Sequence, residues 1–493
     1  MFENTQKKKI WKIVLFSLLM FLFIFCIYRV EFQNDTFFDI KLGEKYYQEG
    51  IVKQDDFSIH EGLEYVAQHF GVNMITYFVY AKFGFTGLYI LGLLLSSLLA
   101  VILYALNVKF LKRKKLAYLI LFIQMFILQI FLSIRAQMYS YILFGLEILW
   151  IEKFLEHGKM RYLLLLTFIP LLLINLHAGV VAFYFIILMV YLFNLLSIKF
   201  FKIETQTQGK ELCRYLIVPL VVGILLIFIN PFGVDSVLYG FKTLGNSFIN
   251  QYIMEFQPLS MKASCGPLAY AYIAIFVFGF MMCKQKIKLH SFLLFMGTTF
   301  MTLLSIRHFA LLIICSTTCL SVLEEISDIL YNKINEGLNP KARKKISMTL
   351  LVVYLIFIGK LGMDTFFKNG KEYIPSNAYP VQALKFIEEN IPEDARIFNE
   401  YTWGSLMMLE NRKVFIDSRA DLYTKEYNSG VNVAMDYIRI NNCTDNYIKL
   451  LEKYDIDYVF VEKNASIAKN LVMHEEYKMI YQDNVACIIE KID

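Results

Sequence analysis

A chain of 493 residues that is 57% hydrophobic and 16% aromatic, with 19% charged residues, carries more apolar side chain than a soluble domain can bury. The surplus has to face lipid, which excludes an ordinary soluble enzyme. A net charge of +6 does not make a nucleic-acid surface either, because the basic residues sit in short loops between apolar runs.

The first apolar run, Ile13 to Tyr28, follows Lys7, Lys8 and Lys9 and lacks a small-residue cleavage site, so it reads as a retained anchor. Spans are expected near 10–30, 85–106, 116–133, 138–155, 162–176, 179–197, 214–230, 266–283, 290–305, 309–325 and 346–363, about eleven in all. The long loop 31–83 is acidic and ends in a half-apolar stretch, Val72 to Phe83, expected to lie along the interface as an amphipathic helix. A second long loop is 230–266.

Lysine and arginine gather in alternate loops: Lys109, Lys112 to Lys115; Lys153, Lys159 and Arg161; Lys199, Lys202 and Lys210; Lys284, Lys286 and Lys288; Lys341 and Arg343 to Lys345. That bias places the amino terminus in the cytoplasm, and an odd span count then places the carboxyl terminus outside. From Asp364 the hydropathy falls and short strands are expected at 396–399, 413–417, 457–462 and 486–490, with a helix over 380–390. The expected fold is therefore a polytopic α-helical membrane domain, residues 1–363, followed by an extracytoplasmic α/β domain, residues 364–493, in the cell (inner or plasma) membrane.

Eight cysteines stand singly, with no Cys-x-x-Cys pair to hold zinc or do redox work. Only Cys443 and Cys487, both in the exported domain, are candidates for a disulfide.

The informative polar residues are those this topology gathers on the outer side. Asp35, Asp39, Asp55 and Asp56 lie in the first long loop and Glu255 in the second; Arg135, the Asn175 and His177 pair, and the Arg307 and His308 pair lie in short turns. Singly, each reads as an interfacial anchor or helix cap. Together, carboxylates facing arginines and histidines suit a phosphate-bearing lipid and the activation of a hydroxyl. Asp55, Asp56 and Glu255 also offer the hard oxygens that a divalent cation prefers. Adjacent loop acids more often cap helices or stay solvated, so no metal is assigned. Trp403 could stack on a sugar, although core packing is the favoured reading. Asp417 and Arg419 could form a buried pair or face the membrane site.

The stretch Asp35 to Lys45, then Glu49-Gly50, then Asp55-Asp56-Phe57-Ser58, resembles the first outer loop of GT-C fold glycosyltransferases, in the bacterial branch related to protein O-mannosyltransferases and aminoarabinose transferases. Arg135-Ala136-Gln137, Asn175 to Gly179, Asn230 to Gly233, Glu255 to Pro258, Tyr401 to Gly404 and Val414 to Arg419 fit the same branch, so the likeness covers most of the chain. The Asp-Glu pair of better-known members is Asp35-Thr36 here, which leaves the second carboxylate open between Asp55 and Asp56.

The resemblance implies an inverting transfer of sugar from a polyprenyl-phosphate carrier to a cell-envelope acceptor, whether glycan, lipid or protein, among membrane lipids. Asp35 would be the base, Arg135, His177, Arg307 and His308 would hold the donor phosphate, and Asn175, Glu255 and Trp403 would support the acceptor. Two rival classes stay open. A transporter or lipid flippase would need only the helices, but repeated halves and interrupted mid-membrane helices are not evident. A non-catalytic scaffold for envelope assembly would tolerate changes at Asp35, Arg135 and Arg307.

Overall fold

Uncharged runs of Leu, Ile, Phe and Val satisfy their backbone groups within lipid only as helices, and in the computed structural model they are helical. It describes residues 19–24, 28, 32–206, 209–244, 246–328, 373–428, 430, 432–444 and 446–492, with isolated positions between 339 and 356.

The helices that matter below are α1 (Asn34–Glu49), α2 (Phe70–Phe110), α3 (Lys114–Leu128), α4 (Ala136–His157), α5 (Met160–Leu176), α6 (Val181–Leu192), α7 (Ile217–Leu226), α8 (Val234–Leu244), α9 (Gly266–Met282), α10 (Leu289–Leu304) and α11 (Phe309–Cys315). In the carboxyl-terminal region they are α12 (Val381–Asn390) and α13 (Gly404–Leu409).

The expected amphipathic stretch Val72 to Phe83 is helical, and it runs on into the next expected span across Gly84. That glycine has φ 60° and ψ −158°, a conformation open to a residue without Cβ, and it kinks α2 there. Helices α1 and α2 meet at Gly43, where a methyl group would run into the carbonyl oxygen of Asn73.

Among the described residues, three helices are long and apolar enough to cross a membrane, Phe70–Phe110, Lys114–Phe131 and Ala178–Leu195. The pair Ile306–Cys319 and Ser321–Asp328, bent by 67°, is a fourth if counted as one span. This is fewer than the about eleven spans expected from roughly 20 apolar residues each. Helices α5, α9 and α10 have 17, 17 and 16 residues. At 1.5 Å per residue each is about 25 Å, short of a hydrocarbon core of about 30 Å. Helix α4 is longer but carries Glu147, Glu152, Lys153 and Glu156. Of the first expected span, 10–30, residues 19–24 are described and are helical, whereas the last, 346–363, and the expected domain boundary at 363/364 fall almost wholly outside the described residues.

The loops sort to two ends of the bundle. At one end Lys109 pairs with Glu156, Arg113 pairs with Asp328, and Glu324 accepts from the backbone N–H of Lys112 and of Arg113 at 2.9 and 3.0 Å. A small sheet joins β1 (Lys199–Phe200), β2 (Ile203–Glu204) and β3 (Ile287–Lys288) at the same basic end. Arg135, at the other end of α4, marks the opposite one.

The carboxyl-terminal region is a sheet in the order β4 (Ile397–Asn399), β5 (Tyr458–Glu462), β7 (Ala486–Lys491), β6 (Tyr477–Gln482), with β4 parallel to β5 and the other pairs antiparallel. Three of the expected strands are present. The fourth, 413–417, is not a strand of this sheet: Val414 bridges Ser58 in the first long loop. Strand β6 was not anticipated. Its edge position leaves it half exposed, so the apolar alternation is weak. Cys443 and Cys487 are both free thiols.

Candidate active site

The site is assembled at the end of the bundle away from the basic loops. Helix α1 opens at Asn34, which puts Asp35 in its first turn, where the helix dipole favours a carboxylate. The Thr36 hydroxyl donates to the carbonyl of Ile134 at 3.0 Å, and that bond fixes α1 against the loop ending in Arg135. Arg135 precedes α4 in extended conformation and reaches back to pair with Asp35. Its Nη1 also donates to Glu255 Oε1 at 2.6 Å and to Gln33 Oε1 at 3.2 Å. Partial burial works against its charge, but the flanking Asp35 and Glu255 carboxylates raise its pKa above the ordinary value.

Glu255 sits in the single turn Met254–Phe256, stitched to the next segment by Ser305 Oγ on the Glu255 carbonyl, 3.0 Å, and by the Ile306 N–H on Gln257, 3.1 Å. The stitching sets Arg307 over the ring of Phe256, its guanidinium carbon 4.4 Å from the centroid. Arg307 makes no ion pair among the described residues, and its charged neighbours are Glu255 and Arg135. His308 packs edge-on to Phe183 and has Nδ1 3.3 Å from the carbonyl of Ser305.

His177 ends α5, with Nδ1 2.7 Å from Ser140 Oγ on α4. Burial, with Arg307, His69 and Arg135 nearby, holds its pKa well below the usual value, which favours the neutral imidazole. Asn175 is a brace: its amide donates to the carbonyls of Leu171 and Ile229, both at 2.9 Å.

Asp35, Arg135, Glu255, Arg307, His177 and His308 are thus drawn to one end of the bundle. Asp55, Asp56 and Trp403 are not placed on Asp35 or Arg135. Asp55 is buried, with Oδ1 2.6 Å from Arg419 Nη1 and Oδ2 accepting from the Ser58 N–H at 3.1 Å. Arg419 is gripped on its other edge by Asp417 at 2.9 and 2.7 Å. Of the two readings of Asp417 and Arg419, the buried pair is the one observed. Asp56 pairs with Lys45 at 2.5 Å and is half exposed. Trp403 is 1% exposed, bonds Ala378 through Nε1 at 3.0 Å and packs on Phe460, as its core reading expected. The candidate cation ligands Asp55, Asp56 and Glu255 face Arg419, Lys45 and Arg135 separately, so they do not fit one metal ion.

Sequence reasoning placed Asp39 among the outer polar residues without a role and passed over its partner His69. Asp39 lies one helical turn beyond Asp35, and His69 Nε2 stands 3.0 Å from its Oδ1. The i, i+4 spacing of the two acids was the available signal that they share a face. The carboxyl-terminal region also reaches the site: Asn34, next to Asp35, donates to the carbonyl of Tyr401 at 3.0 Å and accepts from the Ser405 N–H at 3.2 Å.

At the level of sequence, no protein-family model matches the chain and no curated protein is significantly similar to it. Its structure is similar to the oligosaccharyltransferase AglB of Archaeoglobus fulgidus in complex with an inhibitory peptide and a dolichol-phosphate. The TM-score is 0.60 at 12% identity, over 92% of this chain and 70% of that one. It is also similar to ArnT from Cupriavidus metallidurans bound to undecaprenyl phosphate, with a TM-score of 0.54 at 11% identity over 97% of each chain. Both are GT-C fold glycosyltransferases, and the fold of this chain is the GT-C fold.

Proposed function

We propose that this chain is a membrane glycosyltransferase that moves a sugar from a polyprenyl-phosphate carrier to a hydroxyl-bearing acceptor of the cell envelope, on the outer face of the membrane. The observation that carries the reading is the Arg135 cluster, a guanidinium shared between Asp35 and Glu255 with a second guanidinium, Arg307, lacking an ion pair of its own among the described residues. The fold supports it, since the solved neighbours hold dolichol-phosphate and undecaprenyl phosphate.

The chemistry follows from charge balance. With two carboxylates on Arg135, a donor phosphate arriving between Arg135 and Arg307 competes with Asp35 for the guanidinium. Loss of that partner leaves Asp35 free to accept the hydrogen bond of the attacking hydroxyl. The phosphate departs onto Arg135 and Arg307, with neutral His177 and His308 at its margin, where fixed dipoles and charges act in a partly desolvated place. Glu255, rather than Asp55 or Asp56, takes the part of the second carboxylate. Alternation of the basic loops supports a cytoplasmic amino terminus, with the site and the carboxyl-terminal region outside.

The test is transfer of radiolabelled sugar from polyprenyl phosphate to envelope acceptors by the purified protein in lipid. Transfer that is lost in Asp35→Asn supports the reading. Carrier movement across the bilayer without bond cleavage would replace it with a flippase.

A further inference from the structure

Directly behind the Asp35 and Arg135 pair lies a second polar cluster that the proposed mechanism leaves idle. Asp39 is 0% exposed, an ionisable carboxyl held inside the contact between two helices. Its Oδ1 accepts from Asn73 Nδ2 at 2.6 Å and lies 3.0 Å from His69 Nε2. The Gly43 contact between α1 and α2 holds these partners in register.

Three further atoms of the trio, Asp39 Oδ2, His69 Nδ1 and Asn73 Oδ1, are buried without a hydrogen-bond partner among the described residues. Arg135 Nε and the Tyr139 hydroxyl, on the neighbouring loop and helix, share that condition. Leaving buried polar groups unpaired works against stability, so a concentration of them at one place points to a task beyond it.

The chemistry of that task is set by the histidine. One ring nitrogen faces a carboxylate and the other has no partner, the arrangement in which an imidazole takes up a proton and the carboxylate holds the resulting cation. The groups that act on His69 are Asp39 and Asp35 from α1 and Arg135 ahead of α4, and His177 lies near enough to sense its charge.

We propose that the Asp39 and His69 pair is a proton reservoir behind Asp35, receiving the proton that the acceptor hydroxyl loses on sugar transfer. The assignment rests on the transferase reading. The acceptor O–H bond breaks as its oxygen bonds to the anomeric carbon. The bond from that carbon to the carrier phosphate breaks with its electron pair leaving on the phosphate. The proton passes by way of Asp35 to His69 Nδ1, leaving an imidazolium opposite the Asp39 carboxylate. His69 is then a positioning residue for charge, and the acceptor is of the class that has a proton to lose. Burial disfavours charge on both partners and raises the Asp39 pKa, while the pairing with Asp39 raises the His69 pKa above the ordinary value.

The experiment is the pH profile of sugar transfer by the full chain in lipid, for wild type, Asp39→Asn and His69→Gln. The expected wild-type profile has an acid limb from His69. In Asp39→Asn that limb moves to lower pH, because the carboxylate that raised the imidazole pKa is gone. In His69→Gln, which keeps a donor toward Asp39, the limb disappears and the rate falls about 10²-fold. Rates lowered evenly at all pH with the limb unmoved in His69→Gln would overturn the reservoir while leaving the transferase reading standing. A wild-type protein that transfers no sugar at any pH overturns both.

Discussion

Two arginines in this molecule are each held between two acids, and they do opposite things. Arg419, with Asp55 and Asp417, is sealed, all three side chains being 0% exposed. Arg135, with Asp35 and Glu255, is open, the side chains being 17%, 24% and 45% exposed. The same charges therefore fasten in one place and wait in the other. A guanidinium with Nε, Nη1 and Nη2 all engaged in a dry site has little left for a ligand. The Tyr423 hydroxyl adds a further bond to Asp417 at 2.5 Å, so the triad is a closed network. One whose partners are wet and shared can exchange a carboxylate for a phosphate at little cost.

The comparison breaks most visibly at Arg419. Replacing it with alanine strands two buried carboxylates and is expected to cost about 3–5 kcal/mol, read as a lowered denaturation midpoint and as protease cleavage in the 53–65 segment. Arg135→Gln is expected to do the reverse. Transfer should fall on the order of 10²–10³-fold while the denaturation midpoint stays close to wild type. If Arg135→Gln unfolded the protein as Arg419→Ala does, the contrast between the two clusters would fail.

Acid sharpens the same contrast with a smaller effect. His60 lies beside the Arg419 latch with Nε2 2.8 Å from the carbonyl of Phe415, and burial lowers its pKa to about 4. As pH falls from 6.5, the ordinary value, toward 4, the unfolded chain takes up a proton that the folded one refuses, so stability declines through that window. Burial opposes the charge on Asp55, but Arg419 holds its carboxyl below the usual 3.8, so its contribution persists to lower pH and is lost as pH passes its folded value. Thermal unfolding followed by tryptophan fluorescence should show the upper step, and His60→Gln should flatten it.

These clusters mark where sequence reading succeeds and stops. Apolar runs and alternating loop charge disclosed the helices and the end at which Asp35, Arg135, Glu255 and Arg307 gather, because lipid imposes a pattern every few residues. The assignment of Asp55 could not be read that way. Its partner is 364 positions away, and nothing local in Asp55-Asp56 tells a ligand-facing acid from one sealed against a guanidinium. The pairing of Asp39 with His69 was hidden for a related reason: it depends on the close crossing at Gly43, and a glycine between two aromatic-rich stretches looks like any other.

The crossing of Asp55 with Arg419 also sets an order of assembly. The first loop is made early, and its buried acid has no counter-ion until residue 419 has been synthesised. At about 5–20 residues per second, the intervening chain takes roughly 20 to 70 s to appear. Through that interval the segment carrying Asp55 cannot close, and Asn34, beside Asp35, lacks its bonds to Tyr401 and Ser405. Synthesis of the segment carrying Tyr401, Ser405 and Arg419 is thus the event that finishes the first loop, so a chain cut before it would insert its helices and still present an unfinished site.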